Sequence, residues 1–256
     1  MSVTSALRIY RSPEVLAGAV AAEVGETIER AIRDRGVCLV ALSGGETPRP
    51  VYRLLGTPPL RDRVDWQHVH LVFCDERAVP PDNPESNFGI VQGDLISRIV
   101  IPSENVHRIA GEMSPADAAE QYADELKRLF SKVQRRLDLV LLGVGSDGHT
   151  ASLFSGTPTL EEGDDLVRAV FVPHLNSWRV TLTLSVINSA RTVVFLVSGK
   201  QKASVVQRIL DSKTPQFPAS FVRPTGGRLL WMMDEDAASM IVLSGNNDSK
   251  ISAAGR

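Results

Sequence analysis

The sequence predicts a single α/β domain with a mostly parallel, doubly wound, Rossmann-like sheet that helices cover on both faces. Short apolar runs, typical of buried strands, alternate along the chain with longer amphipathic stretches that have helical spacing. This alternation favours right-handed crossovers between parallel strands. The 256 residues are 43% hydrophobic and 23% charged, a balance that can build a packed core and that excludes a disordered chain.

Six apolar runs are expected to form the buried strands. Each is rich in Val, Leu or Phe and is bounded by glycine or by charged residues, as strands inside a covered sheet are. The six runs are Val37–Leu42, Val69–Phe73, Leu137–Leu142, Val180–Leu184, Thr192–Val197 and Arg228–Met233.

Helices are predicted between these strands, and three of them share a start signal. A hydroxyl side chain that can cap a helix stands directly before a proline, which suits the first helical position. The three pairs are Ser12-Pro13, Thr47-Pro48 and Ser114-Pro115. The first helix is expected to end near Asp34–Arg35, because Gly36 can adopt the left-handed conformation that follows many helices.

No internal repeat and no convincing linker divides the chain. We therefore expect one domain over residues 1–243. Residues 244–256 are mostly small and polar, and we expect them to form a flexible C-terminal tail.

Composition and charge exclude several classes of function. The 28 Lys and Arg against 30 Asp and Glu give a net charge of −2, and aromatic residues make up only 5%, which fits neither a basic surface nor a base-stacking platform for nucleic acid. The longest apolar stretch, Val15–Ala22, is too short to span a bilayer, and no signal peptide is recognisable. We expect a cytoplasmic protein that binds neither nucleic acid nor membrane. Since no exposed apolar helix face is obvious, we expect a monomer.

The sequence also contains no motif with metal-ligand spacing. Cys38 and Cys74 match neither a disulfide framework nor a zinc motif. His68 and His70 alternate on one predicted strand, but no third ligand accompanies them. No metal site is therefore expected.

Four of the predicted strands end in loops that are polar or rich in glycine. In open α/β sheets, ligands bind beyond the carboxyl ends of the strands, so these loops are expected to meet at one edge. The loops are Ser43-Gly44-Gly45-Glu46-Thr47-Pro48, Asp75-Glu76-Arg77, Gly143–Thr150 and Ser198-Gly199-Lys200.

The first loop has the features of an anion cradle. Ser43-Gly44-Gly45 precedes a predicted helix, so its backbone amides and the helix dipole favour a negative charge. The spacing fits neither a dinucleotide fingerprint nor a nucleoside-triphosphate loop. Arg77 and Lys200 would supply the positive charge that a phosphate monoester needs. The alternative is an ordinary strand-to-helix turn flanked by solvated surface cations.

The third loop carries a candidate acid–base pair. Its glycines permit positive φ, and they hold Asp147 and His149 close together on a short segment. A carboxylate two residues from an imidazole can orient the ring and raise its basicity, which suits a general base. A capping aspartate with a structural histidine is the alternative interpretation.

Taken in this order, the segments resemble the 6-phosphogluconolactonase family. The likeness extends from about Leu7 to Leu243. Glu46 departs from the pattern, because a small or hydroxylated residue is expected after the Gly-Gly pair. The matching segments are Leu42–Gly45, Asp75–Pro80, Pro84–Asn87, Gly143–Phe154, Arg179–Thr183 and Pro218–Ser220.

The resemblance implies a fold of the glucosamine-6-phosphate deaminase type and an activity. That activity is hydrolysis of 6-phospho-D-glucono-1,5-lactone to 6-phospho-D-gluconate, the second step of the oxidative pentose phosphate pathway, with no metal or organic cofactor. It also implies His149 as the general base, with Asp147 beside it. The residues that would then bind the substrate are Ser43, Gly44, Gly45, Thr47, Asp75, Arg77, Arg179 and Lys200.

Elementary chemistry agrees with this implication. A lactone carbonyl is already activated, so a base that deprotonates water and donors that stabilise the oxyanion are sufficient. Binding a remote phosphate would orient the ring, so that C1 faces His149.

Two other functions are weighed against the lactonase. In the deaminases that the chain also resembles, a glutamate seven residues after the loop aspartate supports the histidine, and Asp75 would move protons. Phe154 stands at that position here, which argues against deaminase chemistry. A non-catalytic sugar-phosphate sensor would need an attached DNA-binding domain, which we do not expect before Leu7 or after Leu243. A sensor could also dispense with the Asp147/His149 pair.

Overall fold

The computed structural model describes residues 4–133, 136–161, 163–212, 214–242 and 251–253. The strands are β1 (Thr4–Tyr10), β2 (Cys38–Leu42), β3 (Val69–Phe73), β4 (Asp75–Arg77), β5 (Val106–His107), β6 (Leu139–Leu142), β7 (Val167–Val172), β8 (Ser177–Leu182), β9 (Thr192–Val197), β10 (Arg228–Asp234) and β11 (Ile251–Ala253). The helices are α1 (Pro13–Arg35), α2 (Arg49–Leu55), α3 (Leu60–Arg63), α4 (Asn87–Asp94), α5 (Pro115–Lys132), α6 (Leu184–Ser189), α7 (Ala203–Asp211) and α8 (Glu235–Ala238).

Eight strands form one parallel sheet in the order β11-β1-β10-β9-β6-β2-β3-β5, and helices flank it. The chain runs from β2 through β3 to β5 at one edge and then returns to β6, on the other side of β2. The strand order therefore reverses between β2 and β6, and a reversal of this kind opens a crevice where α/β proteins bind ligands. The predicted doubly wound, mostly parallel sheet is confirmed.

The core of the molecule lies in the middle of this sheet. Every residue of β2, β6 and β9 is buried, as the continuous apolar runs predicted. Strands covered on both faces need such runs, because neither face meets water. The large side chains of Tyr52, Phe73, Tyr122 and Phe195 are fully buried among them.

A second sheet was not predicted. Strands β4, β8 and β7 form a small antiparallel sheet, so the run Val180–Leu184 does not lie in the parallel sheet, as we had expected. The strand β4 escaped prediction because its sequence, Asp-Glu-Arg, is charged rather than apolar. Only Cys74 separates β3 from β4, and the Leu182 amide donates to its carbonyl at 2.8 Å. The small sheet thus begins at the carboxyl end of β3.

The helix signals were confirmed at two of three positions. The hydroxyl of Ser12 accepts from the Val15 amide at 3.3 Å, and Gly36 ends α1 with a φ of 79°. Ser114 caps α5 in the same way. The prediction for Thr47 was wrong: Pro48 itself takes the cap position of α2, which has no side-chain cap, and Thr47 lies in the turn before it and lines a cavity.

The segment 244–256, which we expected to be a flexible tail, lies mostly outside the described residues. Within it, β11 pairs in parallel with Leu7–Ile9 of β1. Among the helices that the structure describes, none combines the length and the hydropathy needed to cross a membrane.

Candidate active site

A cavity of about 270 Å³ opens at the reversal point of the large sheet. It collects the loops that follow β2, β6 and β9, together with the start of the small sheet. The polar residues and glycines of its lining are Ser43, Gly44, Gly45, Glu46, Thr47, Asp75, Arg77, Asn87, Gly143, Gly145, His149, Thr150, Ser198 and Lys202. The four loops singled out in the sequence do therefore meet at one edge.

Asp147 and His149 form a hydrogen-bonded pair at this cavity. The imidazole Nδ1 lies 2.6 Å from Oδ1 of Asp147, which also accepts from the His149 amide at 3.2 Å. Burial opposes ionisation of Asp147, but the adjacent imidazole and its hydrogen bonds outweigh it and lower the pKa of the carboxyl. An ionised Asp147 accepts the proton on Nδ1, so the neutral ring keeps its lone pair on Nε2.

Glycines make this close pairing possible. A side chain at Gly145 would put its Cβ 2.1 Å from Nδ1 of His149, which is inside van der Waals contact. Gly148 has a φ of 82°, and a Cβ there would collide with the ring of Phe217. The loop after β6 can therefore fold back on itself only with glycine at both positions.

Phe154 packs against the other side of the site histidine. Its ring centroid lies 4.3 Å from that of His149, and the side chain is buried. This is the position where a deaminase would carry a supporting glutamate. In this chain His149 therefore has a carboxylate partner at Nδ1 and an apolar neighbour on its face.

The loop after β2 approaches α4 so closely that only glycine fits. A Cβ on Gly44 would stand 1.7 Å from Oδ1 of Asn87, and Gly45 has a φ of 90°. Ser43 lines the cavity, but its hydroxyl donates to the Leu141 carbonyl at 2.7 Å, which fixes β2 to β6. The exposed Glu46 forms an ion pair with Arg49 at 3.1 Å.

Asp75 is a buried carboxylate with two side-chain donors. The Ser152 hydroxyl donates to its Oδ2 at 2.6 Å, and Nδ2 of the Asn87 side chain donates to its Oδ1 at 3.2 Å. Asp75 and Asn87 both line the cavity. Asn87 ends one of the segments that carry the family resemblance but was not selected as a site residue, and Ser152 was missed because it only supports Asp75.

Of the three cations predicted to bind the substrate, only Arg77 lines the cavity. Arg77 lines the cavity, and Arg179 lies beside it in the paired strands β4 and β8 rather than in the lining. Burial, and then the charge of Arg77, lower the pKa of Arg179. Lys200 is exposed and does not line the cavity; Lys202 does.

The geometry of the loop after β9 explains why Lys202 lines the cavity and Lys200 does not. Gly199, with a φ of 95°, starts a short turn over Lys200–Lys202 that leads into α7, and this turn carries the second lysine inward. Burial lowers the pKa of Lys202, against the opposing charge of Asp147. Both lysines stand before the same helix, so no sequence signal separated Lys202 from Lys200.

A buried aspartate holds this loop in place. Both carboxylate oxygens of Asp234 accept from the Gly199 amide, at 3.0 and 3.1 Å, and Ser198 donates to Oδ2. The Ala237 amide donates to Oδ1 at 2.7 Å, which caps α8. Asp234 therefore positions the turn that carries Lys202.

The fold and the site define a doubly wound α/β protein whose ligand cavity lies at the reversal point of its sheet. A family model described as glucosamine-6-phosphate isomerases/6-phosphogluconolactonase matches residues 11–231. The chain belongs to this family.

Curated relatives cover most of the chain. A protein named 6-phosphogluconolactonase from Rattus norvegicus is 37% identical over 240 residues, which are 92% of this chain and 93% of the relative. A human protein of the same name is 38% identical over 234 residues, covering 86% of this chain and 91% of the relative.

Solved structures have the same fold. The 6-phosphogluconolactonase of Thermotoga maritima superposes with a TM-score of 0.79 and 31% identity, and covers 90% of this chain and all of its own. A monomeric glucosamine-6-phosphate deaminase gives a TM-score of 0.77 over 94% of this chain and 100% of its own, but only 21% identity. The deaminase likeness shows the fold alone, so fold does not distinguish the two activities.

Proposed function

We propose that this protein hydrolyses 6-phospho-D-glucono-1,5-lactone to 6-phospho-D-gluconate, with His149 as the general base. The observation that carries the proposal is the Asp147–His149 hydrogen bond of 2.6 Å at a cavity lined by cations and glycine amides. The curated relatives named 6-phosphogluconolactonase support it.

The chemical step follows from the orientation of the imidazole. Nε2 of His149 takes a proton from water as the water oxygen bonds to C1 of the lactone, and the carbonyl electrons move onto oxygen. When the tetrahedral intermediate collapses, the bond between C1 and the ring oxygen breaks, and the proton on Nε2 passes to the leaving oxygen. Asp147 stabilises the imidazolium in between, because its carboxylate stays ionised beside Nδ1.

The two cations of the cavity take different roles in the proposal. The negative charge of Asp147 favours the protonated form of Lys202, so we assign Lys202 to the part of the cavity near His149. There it stabilises the oxyanion. Arg77 stands beside Arg179, in the strand that continues from Asp75. We assign Arg77, with Gly44 and Gly45, to the phosphate, and Arg179, which lies beside Arg77 and outside the lining, adds a second positive charge on that side.

The deaminase alternative is not favoured. Phe154 replaces the glutamate expected for deamination and packs directly on His149. The named relatives at more than 30% identity are lactonases, and the structural deaminase relative is only 21% identical. The non-catalytic sensor gains no support from these relatives, which carry an enzyme name. The monomeric state and the cytoplasmic location remain predictions from the sequence.

Replacement of the general base tests the proposal. His149→Ala should lower kcat by about 10²–10⁴, the usual contribution of a positioned base, with little change in KM. The acidic limb of the pH profile of kcat/KM should disappear, since that limb reports protonation of the base. The measurement is hydrolysis of freshly prepared lactone, with spontaneous hydrolysis subtracted.

A second histidine–aspartate pair offers a matched control. His68 lies 2.8 Å from Asp65 in an exposed contact away from the cavity, and His68→Ala should keep wild-type kinetics. A folded His149→Ala that retains wild-type kcat would show that water is activated elsewhere, and Asp75 would become the next candidate. Ammonia release from glucosamine 6-phosphate, without lactone hydrolysis, would instead establish the deaminase alternative.

A further inference from the structure

A second cavity lies at the opposite edge of the large sheet, where the strands begin. It has a volume of about 520 Å³, roughly twice that of the candidate active site. The end of α1 and the amino ends of β6, β9 and β10 surround it. The charged residues that line it are Arg30, Asp34, Arg35, Arg136, Asp138, Arg191 and Arg228.

The lining of this second cavity is strongly positive. Five arginines against two aspartates leave an excess of three positive charges, in a chain whose net charge is −2. The arginines also act on one another: burial, and then the charges of Arg136 and Arg35, lower the pKa of Arg191. Such a concentration of like charge raises the free energy of the folded protein unless an anion offsets it.

One buried carboxylate organises part of the cluster. Oδ1 of Asp138 lies 2.9 Å from Arg35 and 3.3 Å from Nε of Arg191, while Oδ2 accepts from the Leu39 amide at 2.9 Å. Arg228 is held by Glu23, at 2.9 Å. These contacts fix the three arginines in place without neutralising all of them.

The two other arginines have no carboxylate partner among the residues that the structure describes. Arg30 donates only to the hydroxyl of Thr27, at 3.2 Å, and Arg136 makes no hydrogen bond or ion pair within the described ranges. A cluster that served only to hold Asp138 and the end of α1 would not need either of them. Their placement at the cavity indicates a ligand.

We propose that this second cavity binds a small molecule with at least two phosphate groups. Guanidinium groups bind phosphate oxygens in pairs, and a phosphate monoester carries about −1.5 to −2 charges near neutral pH. An excess of three positive charges therefore matches two phosphates better than one. The second cavity is also larger than the candidate active site, about 520 Å³ against about 270 Å³.

Calorimetric titration with inorganic pyrophosphate tests the site on the full chain. Pyrophosphate should bind saturably at the second cavity, both in wild-type protein and in Arg77→Ala, whose substitution weakens the proposed substrate-phosphate site at the other edge, and orthophosphate should bind the second cavity more weakly. The double variant Arg30→Gln with Arg136→Gln should weaken pyrophosphate binding by about tenfold or more, because it removes two charge-assisted contacts. The ion pairs of Asp138 described above are with Arg35 and Arg191, and Arg30 donates to Thr27, so the fold should tolerate the change.

Two further variants locate the binding. Arg33→Gln removes an exposed arginine from the same turn of α1 and should leave affinity unchanged. Arg77→Ala should remove only pyrophosphate binding at the candidate active site, and the binding that depends on Arg30 and Arg136 should remain. The proposal is overturned if pyrophosphate shows no saturable binding, if orthophosphate binds equally well, or if affinity follows Arg77 rather than the pair at the second cavity.

Discussion

Two lysines of nearly identical sequence context differ completely in their surroundings. Lys200 follows Gly199 directly and is exposed, whereas Lys202 lies at the cavity and interacts with Asp147. A lysine that is partly buried near a catalytic carboxylate can stabilise the negative charge that develops on a lactone oxygen. The turn over Lys200–Lys202 thus decides which lysine reaches the cavity, although Lys200 is nearer to β9 in the sequence.

This difference gives a matched pair of variants. Lys202→Ala should reduce kcat by about 10²–10³, the usual effect of losing one oxyanion donor, and Lys200→Ala should leave kcat and KM near wild type. Steady-state kinetics on both variants, with thermal melts to confirm folding, makes the comparison. Equal defects in the two, or a loss confined to Lys200→Ala, would contradict the assignment of Lys202.

At the scale of elements, a buried glutamate joins β4 to α4. Oε1 of Glu76 accepts from the amides of Arg77 and Asn87, and Oε2 accepts from Ser86 and from the Phe88 amide, all between 2.8 and 3.0 Å. Burial raises the pKa of Glu76, although these donors oppose it. The carboxylate satisfies amides at the start of α4 and so holds Asn87 beside the cavity.

Glu76→Gln should therefore lower the free energy of unfolding by about 1–3 kcal/mol, because an amide NH₂ would face donors where the carboxylate accepted two hydrogen bonds. Chemical denaturation measures this difference. The control is Glu85→Gln, at an exposed position in the segment between β4 and α4, which should change stability little. If the two variants are equally stable, Glu76 does not hold α4 in place.

A second link between elements predicts a pH dependence. Asp94 of α4 accepts from Arg49 and Arg53 of α2, at 2.7 and 2.8 Å. Burial raises its pKa, but the two guanidiniums outweigh burial, and the net pKa is lowered. A carboxyl whose pKa is lower in the folded protein stabilises the fold above its unfolded pKa, and this contribution is lost as the pH falls.

The Tm deficit of Asp94→Asn should accordingly be largest near neutral pH and should shrink below about pH 4, the ordinary range of an aspartate pKa. Asp62→Asn removes an exposed carboxylate that pairs with Arg61 at 2.7 Å and should have little effect at any pH. Thermal melts across the acid range compare the two variants. A deficit of Asp94→Asn that is independent of pH would mean that the ion pairs do not contribute.

For the whole molecule, the sequence predicted the parallel sheet because its strands are continuous apolar runs. The run Thr192–Val197 became β9 with the predicted bounds, and Val69–Phe73 became β3. The pattern could not predict β4, since a strand that begins with Asp75 and ends with Arg77 has no hydrophobic period, and so it could not place the run Val180–Leu184 in a second sheet beside it. Edge strands and charged strands depend on tertiary pairing, which one sequence does not display.

The parts of the candidate site that could be predicted are those whose residues lie within one loop. Asp147 and His149 are two residues apart, and their pairing follows from the glycines around them. The contact between Ser152 and Asp75 joins residues 77 positions apart and could not be read from spacing. The second cavity escaped sequence analysis for the same reason, because its arginines come from separate elements.

The proposed mechanism makes lactone hydrolysis independent of a metal ion. The proposed step needs a base at Nε2 of His149 and a cation for the oxyanion, and Lys202 supplies the cation. Within the described ranges, no three His, Cys, Asp or Glu side chains are grouped so that they could hold a metal ion. Lactone hydrolysis should therefore continue at the same rate after dialysis against EDTA.

The assay compares treated and untreated protein on fresh lactone in buffers stripped of metal. If a metal were needed, His70 and His107 would be the first candidate ligands. Nδ1 of His70 lies 3.0 Å from Nε2 of His107, and Nδ1 of His107 lies 2.6 Å from Oε1 of Glu125. Burial, and then the charge of His107, lower the pKa of His70 to about 4, so this ring is neutral near pH 7 and holds the pair together without a metal. If activity falls with EDTA and returns only with zinc or magnesium, a metal takes part in the reaction. The double variant His70→Ala with His107→Ala would then show whether this pair holds it.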